Sequence, residues 1–140
     1  MEICKKLCFV VLLCAVASPG LAEDAAVITS DKGIRYIELK PTFVTNYGVS
    51  DTGHLRYVKA DITVRVASRD GEYATRYHLP ALRDKLVLLL ARQDESTISS
   101  TMGRETIKAE ALAELREVLE KEEGEGFIED LMFTNFVVQR

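Results

Sequence analysis

The sequence has no tryptophan and only two histidines, His54 and His78, and its three cysteines, Cys4, Cys8 and Cys14, all fall near the N-terminus. Beyond Cys14 there can be no disulfide, no thiol nucleophile and no cysteine metal centre. The two histidines have no third imidazole or thiol to complete a site, so each is read as a solvated or capping residue, not a ligand. Positive charge is also not in excess. Lys and Arg number 18 against 22 Asp and Glu, for a net charge of -4. A mildly acidic chain has no electrostatic reason to seek phosphate backbones, and nucleic acid is not an expected partner. No internal repeat or low-complexity segment interrupts the chain.

The only long apolar run is Leu7 to Ala17, which falls short of the ~20 residues a spanning helix needs. It follows Lys5 and Lys6 and ends in Pro19-Gly20-Leu21-Ala22, with small residues where a signal peptidase reads. Residues 1–22 are therefore expected to be a signal peptide cleaved after Ala22. The remainder would be a periplasmic protein, with 23–33 a flexible leader and 34–140 one domain. The alternative is an uncleaved N-terminus that anchors the chain in the inner membrane. A cysteine-free domain in an oxidising compartment must be held by packing alone. At 47% hydrophobic residues there is material for one core.

Ile34 to Leu39 and Thr42 to Tyr47 read as short strands around Pro41, followed by turn residues from Asn46 to Gly53. Leu55 to Ser68 is the clearest strand. Val58, Ala60, Ile62, Val64 and Val66 alternate with Lys59, Asp61, Thr63 and Arg65, which puts one face on a core and one in water. A sheet wet on one face is antiparallel or mixed, with helices on the other. After Asp70-Gly71 the chain could return as a hairpin strand, but the spacing of Leu79, Leu82, Leu86, Leu89 and Leu90 favours a helix through Ala91, secure from Pro80 onward. Leu86 to Leu90 is apolar all round, which predicts cover on most sides. Gln93 to Ser100 reads as a polar connector. Thr101 is placed to cap a helix from Met102 to Glu122, stopped by Gly124 and Gly126. Phe127 to Gln139 reads as a strand with apolar groups on both faces, which predicts a central position or a contact with a partner. The fold class is α+β, a sheet packed on two helices.

No catalytic constellation emerges. The acidic stretch Glu117 to Glu125 lacks calcium-loop spacing and reads as a solvated helix end. Gly103-Arg104-Glu105 is not a phosphate loop, because no Lys-Ser/Thr follows it. Ser96, Ser99 and Ser100 have no histidine at a spacing that marks a base. No cofactor is called for, and catalysis is not expected.

Read in order, several segments are more specific. Lys40-Pro41-Thr42-Phe43-Val44-Thr45-Asn46 carries a P-x-F-x-x-N pattern, and Arg56-Tyr57-Val58-Lys59-Ala60-Asp61-Ile62 follows it. Leu79-Pro80-Ala81-Leu82-Arg83-Asp84, then Met102-Gly103-Arg104-Glu105, then Asp130 to Gln139 with Phe133, Thr134 and Phe136, complete the set. Together they resemble the FliL family of flagellar basal-body-associated proteins across Ile34 to Arg140. Met102 stands where that family usually has an acid.

The resemblance implies a stomatin-like fold, no enzymatic activity, and a homo-oligomeric ring that supports the flagellar stator through its periplasmic region. It marks Pro41, Phe43, Asn46, Tyr57, Pro80, Arg83, Asp84, Gly103, Arg104, Glu105, Phe133, Thr134, Phe136 and Gln139 as family-motif residues. Family members usually have an N-terminal spanning helix, and here the run is shorter. Three readings therefore stand: a motility protein at the flagellar motor, a FliL-like adaptor of another envelope complex, and a small-ligand carrier using a cleft between sheet and helices. Membrane association would come only through partners or an uncleaved N-terminus.

Overall fold

The computed structural model describes residues 33–48 and 55–140. The signal-peptide and leader readings, and His54, lie outside these residues. Four strands and four helices follow in the order β1 (Arg35–Glu38), β2 (Phe43–Asn46), β3 (Tyr57–Val66), α1 (Arg69–Tyr77), α2 (Leu79–Ala91), α3 (Glu95–Ser99), α4 (Thr101–Glu123) and β4 (Ile128–Gln139). The α+β class holds. The sheet is antiparallel throughout, and two shorter helices accompany the two expected ones.

β3 lies at the centre. Its alternation works as read: Val58, Ala60, Ile62, Val64 and Val66 are buried, and the residues between them face the open side of the sheet. Both β1 and β2 pair with the same edge of β3, one against each half. They form one strand broken in the middle, where Leu39 to Thr42 stand against only Asp61 and Ile62. Pro41, which follows a cis peptide bond, sits in this break, where it can offer no ladder donor.

β4 takes the other edge of β3 along its whole length. Among the described residues it pairs with nothing else and lies at the edge of their sheet, so of the two expectations the central position does not hold and a contact with a partner is what is left. Nor is it equally apolar on both faces. Two bulges, at Glu129 and Thr134, each insert a residue and shift the alternation by one. Ile128, Leu131, Phe133, Phe136 and Val138 thereby all stand beside the buried residues of β3. Of the apolar side chains only Met132 and Val137 are left for the open face.

The helices cover the inner face. Ser68 caps α1 by accepting from the Gly71 N–H at 3.0 Å, and Asp70 and Glu72 suit its first turn. α2 begins at His78 with Pro80 in its first turn and buries Leu82, Leu86, Leu89 and Leu90. Leu88 is 56% exposed, so the helix is covered on one side and not all round. The supposed connector contains α3, capped by Asp94, whose carboxylate accepts from the Thr97 N–H at 2.7 Å. Hydrogen bonds from Ser96 and Thr97 hold the Asp94 carboxyl below the usual carboxylate range.

α4 buries Ile107, Ala111, Leu115 and Leu119 against the core. Its cap is Ser100, not the expected Thr101: the Ser100 hydroxyl accepts from the Gly103 N–H at 2.9 Å. Gly124 ends the helix at a φ of 81°, a left-handed conformation open to glycine. The two candidates for the cap separate by mutation. Ser100→Ala is expected to cost about 1 kcal/mol in urea unfolding, and Thr101→Ala only a few tenths.

Candidate functional site: three clusters of motif residues

The motif residues, scattered in sequence, are gathered by the fold into three groups. The first is a latch between α2 and the break in the β1–β2 strand. Arg83 on α2 donates through Nη1 to the Leu39 carbonyl at 2.7 Å and the Pro41 carbonyl at 2.5 Å. Its guanidinium also lies 4.1 Å from the centroid of the Phe43 ring. Pro41, Phe43 and Arg83 thus form one device. The break in the strand leaves carbonyls without ladder partners, and one nitrogen of a planar, charged guanidinium bridges two of them while the group covers an aromatic face. Desolvation lowers the pKa of the guanidinium. Pro80 starts the helix that carries the latch, and Asp84, next in sequence, points to solvent.

The second group lies across one end of the sheet. Asn46, Tyr57 and Gln139 stand side by side on β2, β3 and β4. The Tyr57 hydroxyl and the Gln139 side-chain oxygen are 3.4 Å apart, and the buried Tyr47 donates to the Gln139 backbone carbonyl, also at 3.4 Å. This group closes the sheet where β4 ends.

The third group lies along the open edge. Gly103 is buried where α3 meets the start of α4, and a Cβ there would run into the Thr97 backbone. Arg104, the next residue, holds its guanidinium 6.0 Å from the Phe136 ring centroid. Phe136 meets Phe133 edge to face at 5.0 Å. Between these aromatics the bulged Thr134 donates to the Asp61 carbonyl at 3.2 Å, and Asn135 donates to the Asp61 carboxylate at 3.2 Å. Hydrogen bonds from Thr42 and Asn135 lower the Asp61 pKa. Glu105 is exposed beside Arg104.

Sequence reasoning missed two residues. Arg116 on α4 donates to the Ile128 carbonyl at 2.7 Å and the Glu129 carbonyl at 3.0 Å, fastening the start of β4 at its first bulge. A lone basic residue at the margin of a helix stripe gives no signal of such a role. Asp61 was read as an ordinary wet-face residue, and only the bulge at Thr134 makes it a hub. His78, read as a solvated or capping residue, stands at the N-cap position of α2 but makes no cap hydrogen bond with its side chain; its Nε2 lies 2.6 Å from a Glu123 carboxylate oxygen at the end of α4.

None of these clusters has the makings of a reaction centre. Among the described residues no group of three or more His, Cys, Asp or Glu could hold a metal ion. Among the described residues a concavity of about 660 Å³ is lined by Arg65, Arg116, Glu125 and Glu129 beside Phe127 and Ile128, and opens broadly to solvent. It is a charged surface hollow, unlike the enclosed apolar cleft of a small-ligand carrier. Among the described residues no helix is long and apolar enough to cross a membrane.

Comparison with known proteins places these clusters in context. A family model described as "Flagellar basal body-associated protein FliL" matches residues 36–139, which include all three groups. The chain is 26% identical over 137 residues to the "Flagellar protein FliL" of Escherichia coli K12, covering 92% of this chain and 86% of the relative. The protein of that name from Shigella flexneri matches to the same extent. With its motif residues assembled in one α+β domain, and with a family match from the first strand to the last, this chain belongs to the FliL family of flagellar basal-body-associated proteins.

Proposed function

We propose that this protein is a non-enzymatic accessory of the flagellar basal body that supports motility. In this reading it acts in the periplasm by associating with copies of itself and contacting the periplasmic part of the stator. The observation that carries it is the family match over residues 36–139, nearly the whole described domain. The motif residues are consistent with an interaction module. They brace backbone and line an open edge, and no set of them converges on a reacting centre.

The test is genetic and biophysical together. A strain lacking the protein is expected to swim or swarm poorly and to regain motility when the gene is restored. The purified protein is expected to form species larger than a monomer in sedimentation velocity. Normal swimming and swarming together with a strict monomer would overturn the proposal.

A second reading has its own support. The run Leu7 to Ala17 is short for an anchor and ends in a cleavage-like sequence. A released domain would serve as a periplasmic adaptor of a complex other than the flagellum. Mass determination of the mature N-terminus separates the two: a chain beginning at Glu23 favours the adaptor, and an intact N-terminus favours the motor-bound protein.

A further inference from the structure

Among the described residues β4 is a long edge strand, and beyond its bulge at Thr134 it has none of the usual protection. Exposed edges are normally blunted with lysine, proline, inward charge or bulges, because their unpaired N–H and C=O groups template pairing with another chain. β4 carries no lysine and no proline, and from Met132 to Gln139 it carries no charge. Its bulges stand at Glu129 and Thr134, so Asn135 to Gln139 run in unbroken register.

Two hollows, of about 440 and 380 Å³, lie along this stretch and share Arg104 and Phe136. Their apolar lining comes from Phe133, Phe136, Val138 and Met132.

Arg104 is the second observation. It sits at the fourth residue of α4, where the partial positive charge of a helix N-terminus disfavours a cation. Its hydrogen bond within the chain is a long one of 3.4 Å to the Thr101 hydroxyl. The neighbouring cations are committed: Lys108 pairs with Asp130 at 3.2 Å, and Arg140 approaches Glu95 at 3.6 Å. Among the described residues Arg104 has no carboxylate partner. Helix stability does not explain a cation there, and the Phe136 ring, 6.0 Å from the guanidinium, leaves its charge without a counter-ion.

We infer that the β4 edge receives an extended strand from a partner protein, one that places a carboxylate on Arg104 and apolar side chains over Phe133 and Phe136. The strand adds to the sheet by backbone pairing along Asn135 to Gln139, and the two hollows take alternate side chains, since successive residues of a strand point to opposite faces. Glu105 is the one carboxylate lining either hollow and works against such a ligand. This gives a surface and a chemistry to the partner contacts proposed above, and it is tested by binding in vitro, apart from motility.

The experiment selects nine-residue peptides from a displayed random library on the purified full-length protein. Enriched sequences are expected to carry Asp or Glu two positions from an apolar residue. The best peptide should bind about tenfold more weakly to Arg104→Glu, a change that suits the helix start and leaves the fold intact by circular dichroism. Its Lys counterpart should regain affinity for Arg104→Glu, and Glu105→Gln should tighten the original peptide. N-methylation of the peptide amides along one edge only should abolish binding, which a helical or purely side-chain contact would not show. A library with no enriched sequence overturns the inference, as does binding indifferent to Arg104. So does a Val137→Lys variant that changes the oligomeric state while peptides fail to bind, since that assigns the edge to a second copy.

Discussion

Gly103→Ala is expected to destabilise the domain by about 2–3 kcal/mol, although alanine is the better helix former. Two effects oppose each other. Intrinsic propensity favours alanine by roughly 1 kcal/mol in a helix interior. Against this, the new methyl would overlap the Thr97 carbonyl and lie 2.7 Å from the Ser100 hydroxyl that caps the helix. The obstacle is mostly backbone and cannot rotate aside, so α3 must shift, loosening the buried Ile98 and the cap together. Urea unfolding would show this as a lower midpoint with an unchanged slope. Gly124→Ala is the control. No atom lies within 4 Å of a Cβ there, so only the left-handed φ of 81° is penalised, at about 1 kcal/mol. An alanine at 103 that is neutral or stabilising would mean that α3 does not pack on α4 as described.

Arg83→Ala is expected to cost about 2–3 kcal/mol, from two charge-assisted hydrogen bonds to carbonyls and the contact with Phe43. The Leu39 carbonyl would lose its partner beside a side chain that is only 1% exposed. Arg83→Lys should recover less than half of the loss. Nη1 alone serves both carbonyls, so an ammonium has donors enough, but it lies on a shorter stem and has no plane to lay on the Phe43 ring. Hydrogen exchange should locate the damage: faster exchange at Leu39, whose N–H donates to the Ile62 carbonyl at 2.9 Å, with α4 little changed. Equal stability of the Arg and Lys proteins would reduce the latch to a surface contact.

The periodic parts of the chain were legible, and the parts that depend on a single inserted residue were not. β3 shows its inner and outer faces because five alternating apolar residues leave one solution. The buried stripe of α4 is legible for the same reason. β4 misled because the bulges at Glu129 and Thr134 change its phase twice, and a bulge has no fixed sequence signature. What looked like two apolar faces is largely one face read out of phase. α3 was hidden because four polar residues around one apolar residue, Ile98, carry no period, although Asp94 before Glu95 is a cap signal in hindsight. The placement of the α4 cap at Thr101 missed by one residue because Ser100 and Thr101 are chemically equivalent candidates. The motif residues could be picked out by resemblance, but their grouping could not. That Pro41 and Phe43 meet Arg83, and that Arg104 meets Phe136, depends on how α2 and α4 cross the sheet.

The place of β4 sets the order in which the molecule can be completed. Its partner β3 lies on the far side of four helices in sequence, and the pairs run from Val66 with Ile128 to Tyr57 with Gln139. A growing chain can form its helices locally, but it cannot finish its sheet until Gln139 is free. Until then the outer edge of β3 and the apolar face of the half-built sheet stay uncovered. Such long-range closure is slow and leaves time for wrong pairings. Loss of residues 135–139 should therefore be felt in the yield of folded protein, besides removing the edge on which a partner strand would pair.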